Sequence, residues 1–347
     1  MLAPPQRQRT LEAAIRDLAS TRAATRASAI GDLVSHALSQ DAVRARAVPL
    51  IEAALKGDEA PEARSAAAVG LGDLRAAEAL PALLVAIEDA SVHVRQMALN
   101  ALGEVGDARA LSRLERALGD ARPEVRYQAI IAYTKIARDA GDVDAALARA
   151  CGDADDAVRY IALRIAEERL DVPGAPRPSD AVLALARARV ENDAPHVALA
   201  AAILLAKVGE EPLAAVRSVI LRVVRGGSLG APAPDKEDER EAVEIAGAIG
   251  LREAIPDLER RAWGLGSLVR DTCAWHAKIA LSRMGHPKAS AEILKDLDST
   301  RGETRAAAVV AAGKAKLVAA ATKLEGMRGA EGVDPQLVTD ALARLKA

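Results

Sequence analysis

Two stretches repeat one another: Asp89-Ala-Ser-Val-His-Val-Arg95-Gln-Met-Ala98-Leu-Asn-Ala-Leu102-Gly103-Glu-Val-Gly106 and Asp120-Ala-Arg-Pro-Glu-Val-Arg126-Tyr-Gln-Ala129. In each, an Asp is followed six residues on by an Arg and three further on by an Ala. The same pattern recurs at Asp58/Arg64/Ala67 and Asp153/Arg159/Ala162. The four arginines lie 31, 31 and 33 residues apart. Self-similarity at such a period marks a repeat architecture, in which each unit buries its apolar face only against its neighbours.

Two columns extend the pattern in both directions. A small residue stands at Ala29, Ala67, Ala98, Ala129, Ala162, Ala201, Ala242, Cys273 and Ala308. Four residues later come Leu33, Leu71, Leu102, Tyr133, Ala166, Leu205, Ala246, Ala277 and Ala312. Residues four apart share one face of a helix, so both columns belong on a packed face. A helix that must approach its neighbour to about 8–10 Å has no room for Leu at the crossing, which accounts for the small side chain. After a short break each unit carries a second apolar-periodic run, as in Ala79–Ile87 and Ala110–Leu118. Gly72, Gly103, Gly106, Gly209 and Gly250 are expected to cap the first helices in the left-handed conformation. Asp58, Asp89, Asp120 and Asp153 read as N-caps, with Ser20 and Asn192 as substitutes, and Pro61, Pro123 and Pro195 fall in first turns.

Composition agrees with this pattern. The chain has 347 residues, half of them apolar, yet no Phe, two Trp and three Tyr. Ala, the strongest helix former, supplies about a quarter of it. Closely spaced helices separated by small residues fit that mixture better than a thick core of large side chains. The fold class predicted is all-α, an α-solenoid of about nine helical hairpins.

The motif Asp-x-x-Pro-Glu-Val-Arg-x-x-Ala-x-x-Ala-Leu-Gly, carried by Asp120–Ala129 and Val94–Gly103, resembles the HEAT repeat. It is similar in particular to the short HEAT-like repeat first named from phycobilisome lyase subunits. The resemblance is strongest from about 58 to 170 and weaker from 171 to 347, where Ala198 and Glu239 replace the Arg. It implies that the Asp and Arg columns link adjacent repeats: Asp58, Arg64, Asp89, Arg95, Asp120, Arg126, Asp153 and Arg159. That role is structural and brings no chemistry.

The expected layout is an N-terminal capping helix and first repeat over 1–57, then regular repeats over 58–170. Divergent repeats with a lengthened turn come next over 171–225, then a flexible acidic loop over 226–240. Divergent repeats with a capping helix occupy 241–347. The lengthened turn is the Pro-rich run 171–180, with Ser179 or Asp180 capping the helix after it.

Signs of chemistry are few. Gly226-Gly-Ser-Leu-Gly230 matches the nucleophile-elbow pattern, but Ala-Pro-Ala-Pro comes next, where that motif needs a helix. Cys273, His276 and His286 suggest zinc ligands, yet a structural site needs four with closed spacing. Both Cys151 and Cys273 fall at core positions. No P-loop or dinucleotide fingerprint is present. The expectation is a chain without catalysis, cofactor or metal.

Charge is nearly balanced, with 47 basic and 49 acidic residues. Bulk nucleic-acid binding is not expected of such a chain, although a local basic stripe is compatible with it. Two cysteines make no disulfide framework, and no apolar run suits a signal peptide or a membrane span, so a cytoplasmic monomer is expected. The second helices carry Arg113, Arg116, Arg149, Arg187, Arg189, Arg217, Arg222, Arg225, Arg260 and Arg261. Such a stripe suits an acidic protein segment or, less well, a nucleic-acid backbone. The alternative, favoured by Glu115 and Glu259 within it, is that these arginines serve helix C-termini and surface solubility. Tyr127 and Tyr160 each follow the ladder Arg at a position that is elsewhere Ser65, Gln96, Asp271 or Ala306, which points either to an exposed pair able to anchor a partner or to rings that each cover a neighbour's aliphatic stem.

The function expected is an adaptor or scaffold that binds a protein partner. Two alternatives come with the resemblance. One is a nucleic-acid-binding protein like the HEAT-like alkylpurine DNA glycosylases, with Trp263, Trp275 and Asp271 as its pocket. The other is a subunit like the phycobilin lyases.

Overall fold

A computed structural model describes residues 9–209, 214–226, 235–264, 271–329 and 333–346. Among these residues lie twenty α-helices and no strand, and the fold is an all-α solenoid built of helical hairpins. The chain divides into two compact units, Met1–Val182 and Leu183–Ala347. In the first, α1 (Leu11–Asp17) leads into the hairpins α2 (Ala23–Ser39) with α3 (Asp41–Gly57), α4 (Pro61–Asp73) with α5 (Leu80–Ala86), α6 (Val92–Val105) with α7 (Leu111–Ala117) and α8 (Pro123–Ile136) with α9 (Ala140–Cys151). Next come α10 (Asp156–Glu168) and α11 (Asp180–Asn192), which straddles the boundary between the units. The second unit pairs α12 (Pro195–Val208) with α13 (Ala214–Val224), α14 (Lys236–Ala248) with α15 (Ile255–Trp263), α16 (Ala274–Arg283) with α17 (Pro287–Asp296) and α18 (Gly302–Lys314) with α19 (Ala321–Gly326). After them comes α20 (Pro335–Lys346).

Every residue of the two columns is buried, from Ala29 and Leu33 to Ala308 and Ala312. The reason is visible at the crossings of successive first helices. A methyl placed on Gly72 of α4 would stand 2.8 Å from the Cα of Ala101 in α6, and one on Gly103 of α6 would stand 3.3 Å from the Cα of Ala132 in α8. In the second unit, Gly247 meets the backbone of Ala280 and Gly313 that of Ala341 in the same way. Gly72 and Gly103 are therefore points of closest helix approach, and not the caps that their place in the sequence suggests.

The left-handed residue comes eight positions after the small one, at Arg75, Gly106, Gly209, Gly250, Gly285 and Lys316. At four of these ends the next amide reaches back to a carbonyl five residues earlier, as in Ala76 to Leu71 and Leu317 to Ala312, at 2.9 and 3.0 Å. This geometry closes the open carbonyls of the last turn. It also corrects one register. Gly285 and the bond from His286 to Leu281 place Ala277 in the small column of α16, with Leu281 four residues on. Cys273, taken for the small residue, is buried one turn earlier as the N-cap of that helix.

The Asp column also sits elsewhere than expected. Asp58, Asp89, Asp120 and Asp153 lie two residues before the N-caps Ala60, Ser91, Arg122 and Asp155, whose amides they accept at 2.8–2.9 Å. Ser20 does the same for Arg22 at 3.2 Å, whereas Asn192 ends α11 and caps nothing. Pro61, Pro123 and Pro195 open their helices. The tight turn leaves the second carboxylate oxygen of each Asp free to face the preceding repeat.

An Arg fills that place. Arg26 grips Asp58 with two bonds of 2.6 Å, Arg64 grips Asp89 at 2.8 and 2.9 Å, and Arg126 grips Asp153 at 2.8 and 2.6 Å. Between Arg95 and Asp120 the separation widens to 3.5 Å, leaving an ion pair. Each guanidinium also donates to the carbonyl six residues before it, as Arg64 does to Asp58 at 2.9 Å and Arg159 to Asp153 at 2.8 Å. A continuous polar rail thus runs from Arg26 to Arg159 along the edge of the first unit. Bidentate guanidinium–carboxylate bonds fix direction as well as distance, so the rail sets the register between repeats while the apolar columns supply the burial. The Arg64 guanidinium holds the Asp89 carboxyl below its ordinary range, and Arg26 does the same to Asp58.

The acidic end of the stretch expected to be a loop is helical. Lys236–Arg240 forms the first turn of α14, and the Asp235 side chain accepts the Glu237 amide at 2.9 Å. Three acidic residues in a first turn meet the positive end of the helix dipole, which favours helix there. Residues 227–234, including most of the Gly-x-Ser-x-Gly match, lie outside the described residues.

Candidate functional site

The arginines of the second helices divide into two groups. Arg113, Arg116, Arg149 and Arg222 are exposed, and none makes a hydrogen bond or ion pair with another described residue. The others serve the fold. Arg217 pairs with Glu253 at 3.3 Å, Arg225 with Asp257 at 3.4 Å and Arg260 with Asp257 at 2.8 Å. Arg261 is buried; it donates to the carbonyls of Val224 and Val223 at 2.6 and 2.9 Å and pairs with Glu239 at 2.8 Å. Its guanidinium thereby satisfies the carbonyl end of α13, the usual work of a cation at a helix C-terminus. Arg187 and Arg189 are half-buried, with Arg189 facing Asp193 at 3.6 Å. Arg113, Arg116 and Arg149 belong to the first unit, and Arg222 to the second.

Tyr127 and Tyr160 are half-buried on α8 and α10, less open than the polar residues at equivalent positions suggested. Burial raises the Tyr127 phenol above its ordinary pKa. Ser65, which shares their position, is itself buried and donates to the Glu62 carbonyl at 3.0 Å, so a polar residue there does not mark an exposed position.

The residues that suggested chemistry are held apart. His276 Nδ1 lies 2.7 Å from Glu244, which Lys314 also reaches at 2.8 Å, linking α14, α16 and α18. His286 Nε2 lies 3.0 Å from Glu259, and its ring lies 5.4 Å from that of Trp263. The Trp263 indole donates to Glu292 at 3.1 Å, and the Lys288 ammonium stands 3.9 Å above the ring. Asp271 accepts the Cys273 amide at 2.7 Å and faces Arg261 at 3.4 Å. Burial raises the pKa of the Cys273 thiol, as expected of a structural cysteine. Among the described residues, no three His, Cys, Asp or Glu side chains converge as metal ligands would.

The outward face of the first helices differs along the stack. Between α6 and α8 it is bridged by polar pairs: Gln128 to Asn100 at 3.3 Å, Lys135 to Glu104 at 2.6 Å and Gln96 to the Glu124 carbonyl at 3.3 Å. Counted from the small column, the residues equivalent to Asn100 and Gln128 are Gly31 and Ala66 between α2 and α4, and Val69 and Met97 between α4 and α6. No side chain there is long or polar enough to bridge. A groove of about 420 Å³ results, lined by residues of α2, α4 and α6 that include Gly31, Val34, Leu38, Val69 and Met97. It was not foreseen from the sequence, because it is defined by side chains that are missing.

The repeat also governs the likeness to known proteins. A family of HEAT repeats, defined by its sequence model, matches residues 47–134, so the hairpins of that stretch are HEAT repeats. No curated protein matches the chain. Kap121p, in its complex with Nup53p, superposes with a TM-score of 0.54 at 13% identity over 99% of this chain. The present chain spans 40% of Kap121p's length. An engineered protein superposes with a TM-score of 0.44 at 19% identity, covering 97% of this chain and 99% of its own. The complex of CpcE and CpcF of phycocyanin lyase from Nostoc sp. gives 0.37 at 20% identity, covering 81% and 90%. At these identities the likeness is one of fold alone. No helix among the described residues is long and apolar enough to cross a membrane.

Proposed function

We propose that this chain is a non-catalytic adaptor that binds a protein partner on the surface of its HEAT-type stack. One observation carries the reading: groups capable of chemistry are spent on joining helices, while charged groups on the helical faces are left unused. His276, His286 and Asp271 each have a structural partner. Arg113, Arg116 and Arg149 project from neighbouring second helices with none among the described residues. Their guanidinium groups, outside any ion pair, suit an acidic segment, with Tyr127 and Tyr160 offering amphipathic rings on α8 and α10. Kap121p, whose fold this chain resembles, is a protein that binds others: its complexes hold RanGTP and Nup53p.

The test is quantitative affinity capture with the wild type, an Arg113→Glu/Arg116→Glu variant and a Tyr127→Ala/Tyr160→Ala variant. Each should keep its helical circular dichroism, and at least one should lose a captured protein at least tenfold. An identical captured set from all three proteins, all folded, would refute the assignment of these side chains to the partner.

A further inference from the structure

We infer that the groove across α2, α4 and α6 is a second binding site, which takes an extended basic segment of a partner protein. It lies on the first-helix face and shares no residue with the second-helix arginines. Its apolar lining includes Gly31, Val34, Leu38, Ala66, Val69 and Met97. Leu38 is 64% exposed, one of few large apolar side chains left so open.

Charge identifies the occupant. Glu62 and Asp73 rim the groove, both exposed, and neither carboxylate makes a hydrogen bond or ion pair with another described residue. No Lys or Arg lines it, and His93 is the one basic side chain among its described lining residues. Arg64, the cation beside Glu62 in sequence, has its guanidinium committed to Asp89. The carboxylate equivalent to Asp73 on α6 is Glu104, and Lys135 already neutralises it at 2.6 Å. Asp73 has no such partner. A groove with an apolar lining and two carboxylates outside any close ion pair is complementary to a guest with two cations about an apolar residue.

Spacing identifies its conformation. Glu62 and Asp73 stand eleven residues apart on α4, on one face and about 16 Å from each other along the axis. An extended chain rises about 3.3 Å per residue and alternates faces, so cations at positions i and i+4, about 13 Å apart on one face, meet both carboxylates through the length of their side chains. A guest helix, about 10 Å across, would ride above a cleft between neighbouring helices, whereas an extended backbone enters it. Arginine is the favoured cation, because its fork matches a carboxylate with two bonds.

The probe is a fluorescein-labelled, amidated peptide Arg-Ala-Leu-Ala-Arg, with both Arg and the Leu on one face of the extended chain, its binding to the full protein read by fluorescence anisotropy. A peptide with Glu replacing both Arg, and one with the two Arg adjacent, serve as controls. The wild type should bind the probe at least tenfold more tightly than either control, and more weakly as salt rises. Glu62→Gln and Asp73→Asn should each weaken binding about three- to tenfold. Gly31→Leu should abolish it: a Cβ there meets nothing within 4 Å, so the new side chain enters the groove without disturbing the helix. Equal affinity for the probe and the Glu peptide, no binding of the probe at millimolar protein, or full binding by folded Gly31→Leu each overturns the inference. Either result leaves the adaptor reading to its own capture test.

Discussion

The same substitution at three glycines should change stability in three different ways. Gly31 of α2 faces open space, Gly103 of α6 stands 3.3 Å from Ala132 and Gly72 of α4 stands 2.8 Å from Ala101, measured from a methyl built on each. Replacing Gly by Ala inside a helix gains about 1 kcal/mol of helix propensity, a term largely common to the three. At Gly31 nothing opposes it, and the variant should be more stable by about 0.5–1 kcal/mol. At Gly72 the methyl meets a backbone carbon about 0.7 Å inside normal contact, which only a separation of α4 from α6 relieves. Overpacking of this kind costs about 1–3 kcal/mol, so Gly72→Ala should lie about 2 kcal/mol below Gly31→Ala and below the wild type. Gly103→Ala should fall between the two. Urea denaturation monitored at 222 nm, compared at equal slopes, reads all three. Should Gly72→Ala stabilise as much as Gly31→Ala, the close approach of first helices would be wrong.

The same geometry fixes three other outcomes. Because Arg64 lowers the Asp89 pKa in the folded chain, that pair's contribution is full above the unfolded value near 4 and is lost as pH falls below it. The urea midpoint should therefore drop from pH 5 to pH 3, and drop less in Asp89→Asn; equal pH dependence in both proteins would contradict the pairing. Ala98→Leu and Ala129→Leu should each cost about 1–3 kcal/mol by overpacking a fully buried position, and wild-type stability in the double variant would place the column at the surface. Cys151 and Cys273 are both fully buried and should react with an aromatic disulfide reagent only on unfolding; rapid reaction of either in the native protein would disprove its place in the core.

The repeat was legible because steric demand recurs at fixed spacing: Ala98 and Ala129 must be small wherever helices cross. The caps were legible only in kind. Asp89 marks the turn, but its position two residues before the N-cap comes from its second task, holding Arg64, and that arginine lies 25 residues away. The slip at α16 has a similar cause. Cys273 and Ala277 are one turn apart and equally small, so only the left-handed Gly285 decides between them. The arginines of the second helices looked like one stripe because their partners, such as Glu253 for Arg217, lie 36 residues away. For Tyr127 the sequence leaves exposure and packing on a neighbour equally open, because no local sign separates them. The groove left still less trace, since Gly31 and Ala66 look like ordinary small helix residues until a neighbouring pair of helices shows what they lack.

The stacking of consecutive first helices can be read from a single cross-link. In Gly103→Cys/Ala132→Cys the two Cβ atoms, on α6 and α8, would stand 3.5 Å apart, at the short edge of the roughly 3.5–4.5 Å that a disulfide spans. Mild oxidation of the native variant should close the bond completely, seen as loss of two hydrogens by mass spectrometry and reversed by reductant. Two thiols that stay free in the folded protein would mean that these helices do not meet, and the stack of hairpins could not stand.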